Sequence, residues 1–414
     1  MEDLATTAEI LDSGEAGGKI IRGGAVRTAA YIGGILVGLV STPFLVRHLG
    51  VDDFGRYIAI SSLIFIVAGL TEGGLGAIGV REYSTRDDAG ARRLMGNLLG
   101  IRVLLTIVGV ALATGFALAA GYDSVLVVGT LLAGAGLLVT NYFGAFYVPL
   151  TARLRLGLLA GIDLLRQGLT AALIVGLVIA GASLVWFFGV PIAVGVMVTL
   201  CITALVRRWV PLRPRFERDE WVLILRDSIP YAAATAVGVL YFRVAVVLMS
   251  VVSTEEETGI YSLAFRVVEI VSGVPWLLVA AALPVLARAA RADADRMRYT
   301  LQRLLDVALI LGVWVALSIG LGAPFAVEVV GGSSFEDSVP VLAILGGGMV
   351  GTFLVATWGH GLISLRRNRA LLVANASALA VGIALTLLLV PPHGAIGGAI
   401  ATTATELWLA GAYV

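Results

Sequence analysis

The chain is poor in the residues from which soluble chemistry is built. It has one cysteine, Cys201, so no disulfide closes within it and no thiolate cluster holds a metal. Its three histidines, His48, His360 and His393, lie far apart, each near the end of an apolar run, and read as interfacial packing residues rather than ligands. Lysine occurs once, at Lys19, so almost all positive charge is arginine. Charged residues fill 14% of the 414 positions, against roughly 25% in an average soluble domain. The formal net charge of +1 offers no basic face to a polyphosphate and excludes a nucleic-acid partner. No motif calls for a cofactor or a metal.

What is present is apolar surface. Hydrophobic residues make up 59% of the chain without counting its 51 glycines, and mean hydropathy is +0.97. No soluble fold of this size has enough interior to hide so much of it. The long unbroken runs do not alternate as the strands of a membrane β-barrel would. The fold class expected is all-α and integral to the membrane, with the lipid bilayer as the first partner.

A spanning helix needs about 20 mostly apolar residues. Twelve runs qualify: 27–46, 57–79, 94–119, 124–147, 157–180, 183–206, 229–252, 259–287, 301–322, 339–364, 370–390 and 394–414. Residues 1–18 carry Glu2, Asp3, Glu9, Asp12 and Glu15 without a basic segment, and read as a disordered acidic cytoplasmic tail rather than a signal peptide.

Arginine positions write the topology. Lys19, Arg22 and Arg27 precede span 1. The even connections carry Arg81, Arg86, Arg92 and Arg93, then Arg153 and Arg155, then Arg207, Arg208, Arg213, Arg215 and Arg218. Further along come Arg288, Arg291, Arg296 and Arg298, then Arg366, Arg367 and Arg369. The odd connections carry only Arg47 and Arg56. This asymmetry predicts a multi-pass protein of the cytoplasmic membrane with its amino terminus in the cytoplasm. No outward loop is long enough for the catalytic loops of membrane glycosyltransferases and polymerases, and a non-enzymatic protein is expected.

The segment 207–220, rich in proline and charge, reads as a cytoplasmic linker between an N-lobe (19–206, spans 1–6) and a C-lobe (221–414, spans 7–12). The lobes resemble each other. At a constant offset of 204, Gly55/Gly259, Tyr57/Tyr261, Ile66/Ile270, Val67/Val271 and Gly69/Gly273 are identical. A parallel repeat of this kind places two six-helix lobes around an axis along the membrane normal, a V with a central cavity suited to alternating access.

Four segments carry a family resemblance: Arg47–Tyr57, with its Leu-Gly, Phe-Gly and Tyr; Gly259–Arg266 continuing to Leu283-Pro284; Ser334-Phe335 through Val339–Leu342; and Gly394–Thr402 with Glu406. In order and spacing they resemble the polysaccharide (O-antigen-unit type) flippase branch of the multidrug/oligosaccharidyl-lipid/polysaccharide exporter superfamily. That resemblance implies movement of a polyprenyl-pyrophosphate-linked oligosaccharide across the membrane for cell-surface glycan assembly. It also implies proton or sodium coupling, with polysaccharide polymerase or glycosyltransferase machinery as further partners. Alternatives on the same fold are a cation-coupled multidrug-type exporter and a peptidoglycan lipid-precursor flippase.

A saccharide–pyrophosphate headgroup needs an aqueous path with cationic groups, and a charge deep in a span must face protein or water. Ser262, Arg266, Glu269 and Gly273 share one face of span 8. Arg266 is a candidate pyrophosphate contact and Glu269 its counterion or a coupling group, the alternative being a structural ion pair. Arg243, mid-span in span 7, has no acidic neighbour in sequence and needs a distant partner or an anion. Asp163 and Arg166 share a face of span 5 and are cavity candidates, and Arg27 could meet phosphate at the cytoplasmic mouth. Glu72 and Glu406 are candidate coupling carboxylates, Glu72 equally suited to capping a helix break at 71–74. Arg102 is expected to snorkel to the cytoplasmic surface, and Arg226 to pair with Asp227.

Overall fold

In a computed structural model, the structure describes residues 16–206, 213–275, 294–365 and 367–413. Among these there is no strand. The helices are α1 Ala16–Glu72, α2 Leu75–Thr85, α3 Asp88–Ala119, α4 Ser124–Gly144, α5 Tyr147–Ala152, α6 Leu156–Ile179, α7 Leu184–Val206, α8 Arg218–Val252, α9 Glu255–Val271, α10 Ala294–Val330, α11 Ser338–Ser364 and α12 Asn368–Ala412. A single 3-10 turn, Ser333–Phe335, precedes α11.

Among the described residues nine helical stretches are long and apolar enough to cross a bilayer. Two of them, Thr28–Thr85 and Arg369–Ala412, break at a glycine: Gly50 at φ 73, ψ −176 and Gly394 at φ 54, ψ −134. Side chains other than hydrogen are strongly disfavoured there, so Arg369–Ala412 is two rods, and Thr28–Thr85, which turns again at Gly73-Gly74, is three. The rods follow the order of the apolar runs, but run 259–287 is described only through residue 275, and Leu283-Pro284 lies outside the described residues. Large apolar side chains such as Ile179 (81% exposed) and Leu321 (84%) have no protein cover and belong against lipid tails. The chain is a multi-pass membrane protein.

The chain forms two compact units. One runs up to Leu45 and resumes at Ile64–Ala236; the other joins Val46–Leu63 to Val237–Val414. In the first unit, the segment leading into α8 is fastened to α3. Arg215 donates its N–H to the Gly96 carbonyl at 2.8 Å, and Glu217 donates its N–H to Oδ1 of the fully buried Asn97 at 2.9 Å. Ion pairs Arg86–Glu220 and Arg93–Glu217 reinforce the dock. Asp227 pairs with Arg81 at 2.5 Å, across to α2, rather than with its sequence neighbour Arg226. The first turns of α8 therefore fold with the first unit although they follow the linker.

In the second unit the described parts of the four resemblance segments meet in one core. Phe54 packs edge-on against Phe335, with centroids 6.0 Å apart, and Tyr261 stacks on Phe265. Val341, Leu342, Ala395 and Ala399 close the cluster. The Tyr261 hydroxyl bonds Thr402 at 2.8 Å, and Ser338 donates to the Ile260 carbonyl at 2.9 Å. Ala395 donates its N–H to Glu257, so a carboxylate caps the rod that Gly394 begins.

The repeat-related glycines pack on each other here. A Cβ on Gly55 would lie 2.5 Å from the Glu255 carbonyl oxygen and 2.7 Å from the Gly259 nitrogen; a Cβ on Gly259 would lie 2.1 Å from the Val51 oxygen. Val51 and Glu255 are separated by the same 204 positions as the two glycines, so the contact is reciprocal. Arg47 donates to the Glu328 and Val329 carbonyls (2.7 and 2.9 Å) at the end of α10, where a cation opposes the helix dipole. Arg56 pairs with Glu255 at 2.9 Å and Asp53 at 3.4 Å. Arg47 and Arg56, the two arginines of the first odd connection, are thus both engaged within the protein.

Candidate functional site

In the second unit, α9 starts at Thr254, whose hydroxyl accepts from the Glu257 N–H, and three acidic residues in its first turn suit the positive end of the helix dipole. Three turns on, Arg266 and Glu269 come to one face. Arg266 donates to Glu269 Oε2 at 2.8 Å, while Arg243 from α8 holds the other oxygen. The Arg243 guanidinium also lies over the Phe242 and Phe265 rings, 5.2 and 5.6 Å from their centroids, which compensates part of its burial. The partner that Arg243 lacks in sequence is therefore Glu269.

Two guanidiniums share one carboxylate, which leaves the triad a net +1. Side-chain exposure is 10% for Arg243, 17% for Glu269 and 37% for Arg266. The uncompensated charge is thus presented by Arg266. Beside Glu269 lies a small cavity of about 50 Å³, lined by Tyr241, Tyr261, Thr402, Thr405 and Glu406 among others. Tyr241 reaches the Glu406 carboxylate, whose Oε2 is buried with no hydrogen-bond partner among the described residues. Room for a water needs roughly 10–15 Å³, so this space holds a few atoms and no sugar.

In the first unit, Glu72, Arg102, Asp163 and Arg166 all line one cavity of about 640 Å³. Where α1 ends, Gly73 and Gly74 turn the chain into α2, and Glu72 accepts the Gly76 N–H at 3.1 Å across that break. The same carboxylate pairs with Arg102 at 2.8 Å. Arg102 is 4% exposed, so it does not snorkel to the surface: a carboxylate 30 residues earlier holds it inside. Next to it, Asn141 donates to the hydroxyls of Thr71 (3.1 Å) and Thr106 (2.8 Å). Tyr147 donates to Asp163 Oδ1 at 2.8 Å. Arg166, one turn along α6, makes no ion pair among the described residues. Glu72→Gln should keep the cap and lose the ion pair. Because the Glu72 side chain is 45% exposed and cavity water can solvate the change, the expected cost is about 1–2 kcal/mol rather than that of a fully buried pair. Thermal unfolding in detergent measures it, and an unchanged midpoint would mean that the pair contributes nothing.

The side chain of Arg27 lies outside those described. Among the described residues no cluster of three or more His, Cys, Asp or Glu is placed to hold a metal ion. Asn141 and Tyr147 did not emerge from the sequence, although a lone amide inside the apolar run 124–147 is a usable signal, because lipid does not tolerate one.

The chain matches the family described as "Polysaccharide biosynthesis protein" over residues 20–290. Among solved structures it is similar to an inward-facing multidrug resistance MATE family transporter of the MOP superfamily, with TM-score 0.73 and 16% identity over 91% of this chain and 92% of that one. It is also similar to the lipid II flippase MurJ in an inward closed conformation, with TM-score 0.71 and 15% identity over 95% and 86%. A third is a MOP superfamily transporter from Pyrococcus furiosus described by the reverse polarity of its binding pocket, with TM-score 0.62 and 16% identity over 95% and 93%. At these identities the likeness is one of fold. No curated protein matches the chain.

Proposed function

Since the chain belongs to the polysaccharide biosynthesis protein family, we propose that it is a flippase for a polyprenyl-pyrophosphate-linked oligosaccharide. It works by alternating access in the cytoplasmic membrane, amino terminus inside, and catalyses no covalent step. The observation that carries this reading is the triad of Arg243, Glu269 and Arg266. A net +1 site with one open guanidinium suits a phosphate, which takes planar charge-assisted hydrogen bonds from arginine.

In this reading Arg266 meets the pyrophosphate, Glu269 orients it, and Arg243 holds Glu269 in place. Asp163 and Arg166, lining the cavity of the first unit, serve the saccharide, and Arg27 receives the phosphate at the cytoplasmic mouth. Of the two coupling carboxylates, Glu72 is committed to Arg102 and the helix break, which leaves Glu406 to exchange a proton or sodium ion. The lipid tail stays in the bilayer.

Deletion of the gene in its host tests the proposal. Loss of surface polysaccharide with accumulation of its lipid-linked precursor, both reversed by the wild-type gene, is the expected phenotype. Unchanged polysaccharide with raised sensitivity to amphiphilic drugs would favour the multidrug-type exporter instead.

A further inference from the structure

We infer that the 640 Å³ cavity of the first unit is a saccharide subsite that takes an uncharged sugar of the glycan by its hydroxyls. The inference rests on the flippase reading and deepens it. The volume falls within the roughly 300–1,000 Å³ of small-molecule sites. Its four ionised groups, Glu72, Arg102, Asp163 and Arg166, sum to zero, whereas the triad of the second unit sums to +1. A phosphate entering this cavity would face two carboxylates and gain no net attraction. A sugar hydroxyl both donates and accepts, so it profits from a mixed lining.

That mixture is present and oriented. Tyr147 occupies only Oδ1 of Asp163, which leaves Oδ2 to accept from a sugar hydroxyl. Asn141 spends its NH₂ on Thr71 and Thr106, which fixes the amide and leaves its carbonyl as an acceptor. Arg166 supplies donors in a rigid fork. The Tyr147 ring adds an apolar face of the kind on which the C–H face of a pyranose rests. The Glu72–Arg102 pair closes one wall without leaving net charge there.

Saturation-transfer NMR on the full chain in nanodiscs tests this, with methyl glycosides of glucose, galactose, rhamnose and N-acetylglucosamine as probes and inorganic pyrophosphate as competitor. At least one glycoside should show saturable binding that pyrophosphate does not displace. Asp163→Asn should weaken it about tenfold, the loss expected for one well-placed hydrogen bond. Tyr147→Phe, which removes a single hydroxyl and keeps the ring, should weaken it less, and thermal unfolding checks that both variants fold. Binding by no glycoside, binding untouched by both variants, or displacement by pyrophosphate would overturn the inference. A companion flipping assay in proteoliposomes compares bare polyprenyl diphosphate with its glycosylated form, and Asp163→Asn should slow only the latter. Wild-type protein that binds a glycoside and flips neither lipid would sink the flippase reading while the subsite stands. Equal slowing of both lipids would sink the subsite alone.

Discussion

Glu269→Ala should destabilise the protein by about 3–5 kcal/mol and abolish transport. It removes the one carboxylate that Arg243 and Arg266 share. Stripping a buried cation of its counterion costs on that scale, because the desolvation penalty remains while the attraction is lost. Most of the loss belongs to Arg243, whose side chain is 10% exposed; Arg266, 37% exposed, can turn to water and contributes little. Replacing Arg243 and Glu269 together with Met and Leu should recover most of the stability, since apolar packing of similar volume matches a buried ion pair. The double variant keeps Arg266 and the net +1 but loses the carboxylate that orients it, so transport should stay impaired. Thermal unfolding and flipping, read side by side, separate the two effects. A Glu269→Ala protein as stable as wild type would show that the triad is not a buried ion-pair network.

The second large effect is expected at Gly259. An alanine within a helix is ordinarily better than glycine by up to about 1 kcal/mol. Gly259→Ala reverses the sign, because its Cβ would sit 2.1 Å from the Val51 carbonyl oxygen, and backbone cannot step aside as a side chain can. The two rods must move apart, which opens the core around Phe54 and Tyr261, at a cost of about 2 kcal/mol or more. Gly55→Ala, 2.5 Å from the Glu255 oxygen, should behave alike by the reciprocity of the contact. Gly176→Ala in α6 meets nothing within 4 Å and should be neutral or stabilising. Equal unfolding midpoints for Gly259→Ala and Gly176→Ala would refute the close approach.

The parts legible in sequence are those that lipid or local geometry enforces. The bilayer demands about 20 apolar residues per span, so the runs mark the apolar helices, although nine stretches rather than twelve qualify as spans among the described residues and the run 57–79 is cut at Gly73-Gly74. Helical spacing alone predicts that Arg266 and Glu269 share a face. The glycine pair at 73–74 signals a break, and Glu72 beside it a cap. Other features depend on which helices become neighbours. Arg243 finds Glu269 only because α8 and α9 pack side by side, and Arg102 finds Glu72 only because the break redirects the end of α1. The repeat shows as five identities in fifteen positions, yet nothing in that count tells that Gly55 and Gly259 touch each other. The motif glycines 397 and 398 are likewise explained only by their neighbours, the Leu389 carbonyl and the Met249–Tyr261 pair, which a Cβ would strike.

The central claim is that this protein carries a lipid-linked saccharide across a bilayer, with Arg266 at the phosphate. Its most direct test is the rate at which a polyprenyl-diphosphate-linked oligosaccharide, labelled on its sugar, becomes accessible on the far side of proteoliposomes holding purified protein. The account predicts fast translocation by the wild type and translocation at the rate of protein-free vesicles by Arg266→Ala of equal stability. Wild-type vesicles no faster than empty ones, or an Arg266→Ala protein as fast as wild type, would contradict it.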